Sequence, residues 1–105
     1  MIKRIETEKL DGTYIQVGKE AIRKGKYGVC ILAGGQGSRL GHPGPKGTYM
    51  LDLGDTKKSI FQIHIENIMK YRNDINIFIM TSSDNNDETV LYFQENNYFG
   101  INPFL

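Results

Sequence analysis

Between Leu32 and Gly47 the chain concentrates the residue types that bind phosphate. It runs Leu32-Ala33-Gly34-Gly35-Gln36-Gly37-Ser38-Arg39-Leu40-Gly41 and, three residues later, Pro45-Lys46-Gly47. Glycine lets a backbone pass close to a ligand and turn through positive φ without steric cost. Successive amide N–H groups in such a loop can cradle phosphate oxygens. Arg39 supplies a planar, forked cation and Lys46 a point charge, and both suit phosphate. The segment follows the apolar run Tyr27 to Leu32, so a strand empties directly into a phosphate-seeking loop. That arrangement points to a nucleotide site.

Two better-known glycine motifs fail on spacing. A P-loop ends in Gly-Lys-Ser/Thr, whereas Lys46 lies between Pro45 and Gly47. A dinucleotide fingerprint needs G-x-G-x-x-G, but after Gly35-Gln36-Gly37 the next glycine is Gly41, one residue too late. An ordinary surface turn would explain the glycines, though it has no need of two basic residues among them.

These residues resemble the signature of the UDP-sugar pyrophosphorylases, nearest to the UDP-N-acetylhexosamine branch of that family. The Leu-Ala-Gly-Gly-Gln start and the Pro-Lys-Gly end carry the resemblance. Ser59-Ile60-Phe61-Gln62-Ile63, Ile79-Met80-Thr81-Ser82 and Asn97-Tyr98-Phe99-Gly100 continue it in order, from about residue 15 onward. The resemblance implies a uridylyltransferase, in which a sugar 1-phosphate, here N-acetylglucosamine 1-phosphate, attacks the α-phosphorus of UTP and pyrophosphate leaves. It implies that Leu32, Ala33, Gly34 and Gly35 present backbone groups to uracil and ribose, and that the Gly37 and Ser38 amides face the phosphates. Arg39 and Lys46 would be the catalytic pair, neutralising charge on the triphosphate and on the α-phosphate. Ser38 stands where the family often has threonine and keeps the hydroxyl. Mg²⁺ is expected for the complete enzyme, with its aspartate ligand and the sugar-binding groups lying past Leu105. Residues 1–105 then read as the N-terminal, nucleotide-binding part of one longer catalytic domain, inactive alone and with no second domain.

The chain has 105 residues and a formal net charge of +1, so it supports one domain at most and offers no bulk charge for nucleic acid or membranes. No apolar run approaches the ~20 residues of a membrane span. The charged start Met1-Ile2-Lys3-Arg4 is not followed by a signal-like core. The single cysteine, Cys30, lies in an apolar run and reads as a buried thiol in a reducing compartment; a cytoplasmic location is the expectation.

The elements that must position the loop follow from periodicity. Residues 1–14 are polar, with a turn at Asp11-Gly12. Tyr14 to Lys24 has helical spacing, and Gly25 can end it. Tyr27 to Ala33 is continuously apolar, the pattern of a strand buried on both faces of a parallel sheet. Tyr49 to Leu53 forms a short strand closed by Gly54-Asp55. Ser59 caps a helix from Ile60 to about Arg72, broken by Asn73-Asp74. Ile75 to Thr81 is a second β-rich run. Asp84 or Asn86 can cap a helix from about Glu88 to Asn96. This order predicts an α/β fold, a partial doubly wound, Rossmann-like (GT-A-like) nucleotidyltransferase sheet with flanking helices. The two apolar runs should be adjacent parallel strands.

The remaining conspicuous residues have plainer uses. His64 is a surface or packed histidine. His42, followed by Pro43 and Pro45, serves loop shape more than phosphate contact. Tyr92, Phe93, Tyr98 and Phe99 cover the core and a helix exit, and Arg23, Lys24 and Lys26 are a solvated helix end. Phe93, Tyr98, Phe99 and Phe104 would lack partners in an isolated chain, and with an exposed sheet edge this predicts self-association. The competing function is a non-catalytic nucleotide-binding or assembly module that keeps only the phosphate loop.

Overall fold

The computed structural model of the chain describes residues 12–71 and 74–101. In chain order its elements are α1 (Gly12–Arg23), β1 (Gly28–Leu32), β2 (Met50–Asp52), β3 (Lys57–Ser59), α2 (Ile60–Met69), β4 (Asn76–Met80) and α3 (Asn86–Glu95). The turn expected at Asp11-Gly12 lies partly outside these residues, as do the Arg72-Asn73 helix end and Phe104. The helix α1 closes as its sequence suggests. Gly25 takes φ 69°, Lys26 N–H donates to the Ala21 carbonyl at 2.9 Å and Gly25 N–H to that of Ile22 at 3.0 Å, the paired bonds of a glycine-terminated helix.

The strands β1 and β4 are parallel neighbours, pairing Cys30 with Phe78, Ile31 with Ile79 and Leu32 with Met80. Parallel strands cannot be joined by a tight turn, and here the connection carries α2 back across the sheet. The pleat sends Ile77 and Ile79 to one face, 2% and 3% exposed. On that face they meet Phe61 and Ile65, one helical turn apart on α2, and Phe93 of α3, which is fully buried. Each such side chain contributes roughly 1.5–3 kcal/mol by leaving water. The aromatic rings interlock, Phe61 with Phe93 at 5.0 Å and Phe93 perpendicular to Phe99 at 5.6 Å.

The structure corrects several sequence expectations. Strand β1 is not buried on both faces: Val29 and Ile31 are half-buried, while Gly28, Cys30 and Leu32 are exposed. Both α2 and α3 cover the same side of the two-stranded sheet, so the other pleat faces outward among the described residues. Cys30 is therefore an exposed thiol. Phe93 does not lack partners but sits at the centre of the core, with Tyr98 and Phe99 packed against it. Exposed apolar surface is found instead on the far pleat, where Leu32 is 74% and Met80 53% exposed, and on α1 at Tyr14, Ile15 and Val17.

Two local features carry no clear signal in the sequence. The weak strand β2 pairs antiparallel with β3, whose Lys57-Lys58 start shows no apolar alternation. The hairpin is held by its turn, in which Leu53 N–H donates to Thr56 O at 2.9 Å and Asp52 Oδ1 accepts from Gly54 N–H at 3.0 Å. After α3, Asn97, Tyr98 and Phe99 all take left-handed conformations, with φ of 51°, 56° and 50°. Such geometry costs ~1–2 kcal/mol per residue and is offset by the two rings it returns to the core.

Ser59 caps α2 as its position implies: it is fully buried, and its Oγ accepts the Gln62 N–H at 3.1 Å. One turn further on, Glu66 Oε2 accepts from Lys58 Nζ at 2.7 Å, tying α2 to the hairpin. The Lys58 hydrogen bond, followed by that from Gln62, holds the Glu66 carboxyl below the usual 4.5. A carboxyl lowered on folding stabilises the fold above its unfolded-state value and loses that contribution as pH falls through its folded-state value. Glu66→Gln should therefore lower stability at neutral pH. Urea titrations across a pH series should show the gap from wild type closing as pH drops below the ordinary glutamate range.

Candidate nucleotide-binding site

The glycine-rich loop is built as a narrow neck with a turned tip. Gln36 and Pro45 form an antiparallel bridge, flanked by Gly37 N–H donating to Gly44 O at 3.0 Å and Lys46 N–H donating to Gly35 O at 3.1 Å. Beyond the neck, Ser38–Leu40 forms one 3₁₀ turn that carries Arg39, closed by Gly41 at φ 70°. His42 N–H returns to the Gly37 carbonyl at 3.0 Å. A second 3₁₀ turn, Lys46–Thr48, carries Lys46 at its first residue. Both cations thus ride on short turns whose backbone is fixed by hydrogen bonds, and both are exposed.

His42 ties the two turns together. The Thr48 hydroxyl donates its one hydrogen to Pro45 O at 2.8 Å, so it accepts from His42 Nε2 at 2.7 Å, and the network assigns the ring proton to Nε2. The ring also packs edge-on against Tyr49 at 5.6 Å. The expectation that His42 serves loop shape matches this arrangement. It also changes the reason for a glycine at 37: a Cβ there would stand 2.8 Å from His42 Cβ, so the loop itself needs the glycine. The Gly37 amide, expected to face phosphates, is committed to Gly44 O instead.

Of the residues singled out in the sequence, Leu32, Ala33, Gly35 and Lys46 line one cleft of about 180 Å³, together with Gly47, Phe61 and His64. Arg39 and Ser38 stand on the tip turn outside that lining. Gly34 lies over the β4 exit, with a notional Cβ 3.6 Å from Ser82 Cβ. His64, read as a surface or packed residue, is exposed on α2 and borders the cleft that Lys46 lines.

One residue of the site was missed in the sequence, where the flanking Asp84 and Asn86 are equally good caps. Asn85 is fully buried at the start of α3, and its side chain makes no capping bond. Its Oδ1 accepts from Ser82 N–H at 3.0 Å, and its Nδ2 donates to Ala33 O at 3.0 Å and Gly35 O at 3.3 Å. Nothing in the local spacing marks these partners, which lie 50 and 52 residues away.

Among the described residues no group of three or more His, Cys, Asp or Glu side chains could hold a metal ion. Nor is any helix among them long and apolar enough to cross a membrane.

The parallel pair and its covering helices make an α/β fold in which the basic, glycine-rich loop leaves the carboxyl end of β1, the edge at which open α/β sheets bind their ligands. The chain belongs to the family described as UTP–glucose-1-phosphate uridylyltransferase, whose model matches residues 3–104. It is similar to the UDP-N-acetylglucosamine pyrophosphorylase of Saccharomyces cerevisiae, 43% identical over an alignment covering 93% of this chain and 22% of that protein. It also resembles a probable UDP-N-acetylglucosamine pyrophosphorylase of Encephalitozoon cuniculi, at 40% identity over 81% of this chain and 25% of that one. The crystal structure of the Trypanosoma brucei UDP-N-acetylglucosamine pyrophosphorylase in complex with inhibitor superposes with a TM-score of 0.71 at 36% identity, covering 84% of this chain and 20% of that chain. The chain spans about a fifth to a quarter of the length of these curated relatives.

The glycines of the loop separate into those the fold demands and those it leaves open. A Cβ at Gly47 would fall 2.3 Å from the Phe61 ring, whereas one at Gly35 would meet nothing within 4 Å. Gly47→Ala should therefore cost about 1–3 kcal/mol by overpacking, and Gly35→Ala much less, in denaturant melts of the two variants. Comparable losses would show that Phe61 yields freely.

Proposed function

We propose that this chain is the N-terminal, nucleotide-binding part of a single nucleotidyltransferase domain. The domain would transfer UMP from UTP to a sugar 1-phosphate, N-acetylglucosamine 1-phosphate by its nearest resemblance. The observation that carries the reading is the loop: two cations on hydrogen-bonded turns, one of them lining a cleft with Leu32, Ala33 and Gly35. In the proposed reaction an oxygen of the sugar phosphate attacks the α-phosphorus of UTP. The bond from that phosphorus to the bridging oxygen breaks, and pyrophosphate departs with the electron pair. The nucleophile is already an anion, so the protein's part is positioning and charge neutralisation. Arg39 stabilises the triphosphate and the departing pyrophosphate, and Lys46 meets charge growing on the α-phosphate. Ser38 and the backbone of Leu32, Ala33, Gly34 and Gly35 orient the nucleotide. Gly37 contributes by its lack of a side chain, because its N–H is already bonded within the loop. No step is assigned to Mg²⁺, for which the described residues offer no side-chain cluster.

Calorimetric titration of the chain with UTP, beside an Arg39→Ala/Lys46→Ala double variant, tests this reading. Binding by the wild type that the variant loses is the expected outcome. Equal binding by both removes the assigned roles. In a complete enzyme either single change should lower turnover by on the order of 10²-fold, the scale of one preorganised electrostatic contact. The 105-residue chain alone should release negligible pyrophosphate from UTP and N-acetylglucosamine 1-phosphate.

A second copy of the chain is the partner proposed for the exposed apolar surface. Cys30, Leu32 and Met80 on the outward pleat, and Tyr14, Ile15 and Val17 on α1, are all exposed. Wild type should sediment partly as dimer or larger, and Met80→Glu should shift it to monomer. A wild-type monomer at high concentration would refute the proposal.

A further inference from the structure

We infer that Asn85 is a positioning residue for the nucleotide loop, aiming two backbone donors out of it toward the ligand; the ligand part rests on the function proposed above. The argument starts from peptide geometry. In a trans peptide the C=O and the following N–H point in opposite directions. Asn85 Nδ2 holds the Ala33 carbonyl toward itself at 3.0 Å, and at 3.3 Å it shares the Gly35 carbonyl with the Lys46 N–H of the neck, which reaches that oxygen at 3.1 Å. The N–H groups of Gly34 and Gln36, which share those peptide planes, are thereby turned to the opposite side of the loop. Among the described residues neither has an internal acceptor. The space beside them is open, since a Cβ at the intervening Gly35 would meet no atom within 4 Å. Two N–H groups, one on each side of Gly35, presented to an open surface are suited to the oxygen acceptors of a nucleotide.

The side chain suits this task in each of its atoms. It is fully buried, both Nδ2 hydrogens are used, and Oδ1 is occupied by Ser82 N–H at 3.0 Å. Aspartate has the same shape but would set a carboxylate oxygen against two carbonyl oxygens. Serine or threonine, equally good helix caps, has one hydrogen to offer and cannot hold both carbonyls. The residue heads α3 and makes no cap bond with its side chain, so its hydrogen-bonding capacity is spent on the loop rather than on the helix. The Asn85 latch also joins the exits of β1 and β4, since Ser82 follows β4 and Ala33 follows β1.

The test uses NMR of the 105-residue chain with UTP as ligand. In the ligand-free wild type, the Asn85 side-chain amide should exchange slowly and show through-bond coupling to the Ala33 and Gly35 carbonyls. Absence of both couplings overturns the assignment without any variant. In Asn85→Asp, and in Asn85→Ala should the first fail to fold, the Gly34 and Gln36 amide resonances should move. UTP affinity should fall about tenfold or more, the scale of leaving buried partners unmatched. A variant with a lower melting temperature, unmoved Gly34 and Gln36 amides and unchanged UTP affinity would show a purely structural role and overturn the inference. If the wild type shows the couplings but binds no UTP, the nucleotide reading fails while the positioning of the two amides stands on the ligand-free spectra.

Discussion

Parallel pairing between β1 and β4 is the constraint on which the rest of this structure depends. Two strands running the same way deliver both carboxyl ends to the same edge of the sheet. Here Leu32 ends opposite Met80, and the pairing runs one step further, with Ala33 N–H donating to Met80 O at 2.7 Å. The glycine-rich loop leaving β1 and the Ser82–Asn85 turn leaving β4 are brought together for that reason alone. Antiparallel pairing of the same residues would put them at opposite ends, and Asn85 could not reach the Ala33 and Gly35 carbonyls.

The loop then combines a fixed neck, in which Gly37 and Pro45 are buried, with an exposed tip. Its cations stand in solvent, yet the backbone beneath each is held by the 35–37/44–46 neck, by the His42–Thr48–Pro45 chain of hydrogen bonds and by Asn85. Charge fixed on a preorganised backbone is what electrostatic catalysis of phosphoryl transfer requires, because no reorganisation is then needed as charge develops. The loop is also anchored to the hydrophobic core at one point. Gly47 lies against Phe61, itself 1% exposed and in ring contact with Phe93. Core packing and site geometry meet at that glycine.

The membership of the chain in the uridylyltransferase family agrees with this architecture, and the chain spans about a fifth of its yeast relative. The features legible here are those that a strand exit and a loop can supply: a glycine-rich backbone held by its own hydrogen bonds and two exposed positive charges.

The sequence by itself determined the elements whose signals are local. The two apolar runs, the Ser59 cap and the Gly25 stop depend on neighbours within a few residues, and periodicity or side-chain type reports them directly. The loop's residue types were legible for the same reason, since glycine, arginine and lysine state their chemistry in one dimension. Tertiary structure decided what depends on distant partners. It turned Cys30 outward, because both α2 and α3 cover one pleat, and it put Phe93 at the centre of the core. It paired Lys57–Ser59 into a hairpin through a turn rather than through alternation, and it spent the Gly37 amide inside the loop. Above all it chose Asn85 over Asp84 and Asn86. The three are alike as helix caps, and only the residue facing carbonyls 50 and 52 positions away could bond to both. Such a match rests on an arrangement in space that no spacing along the chain encodes.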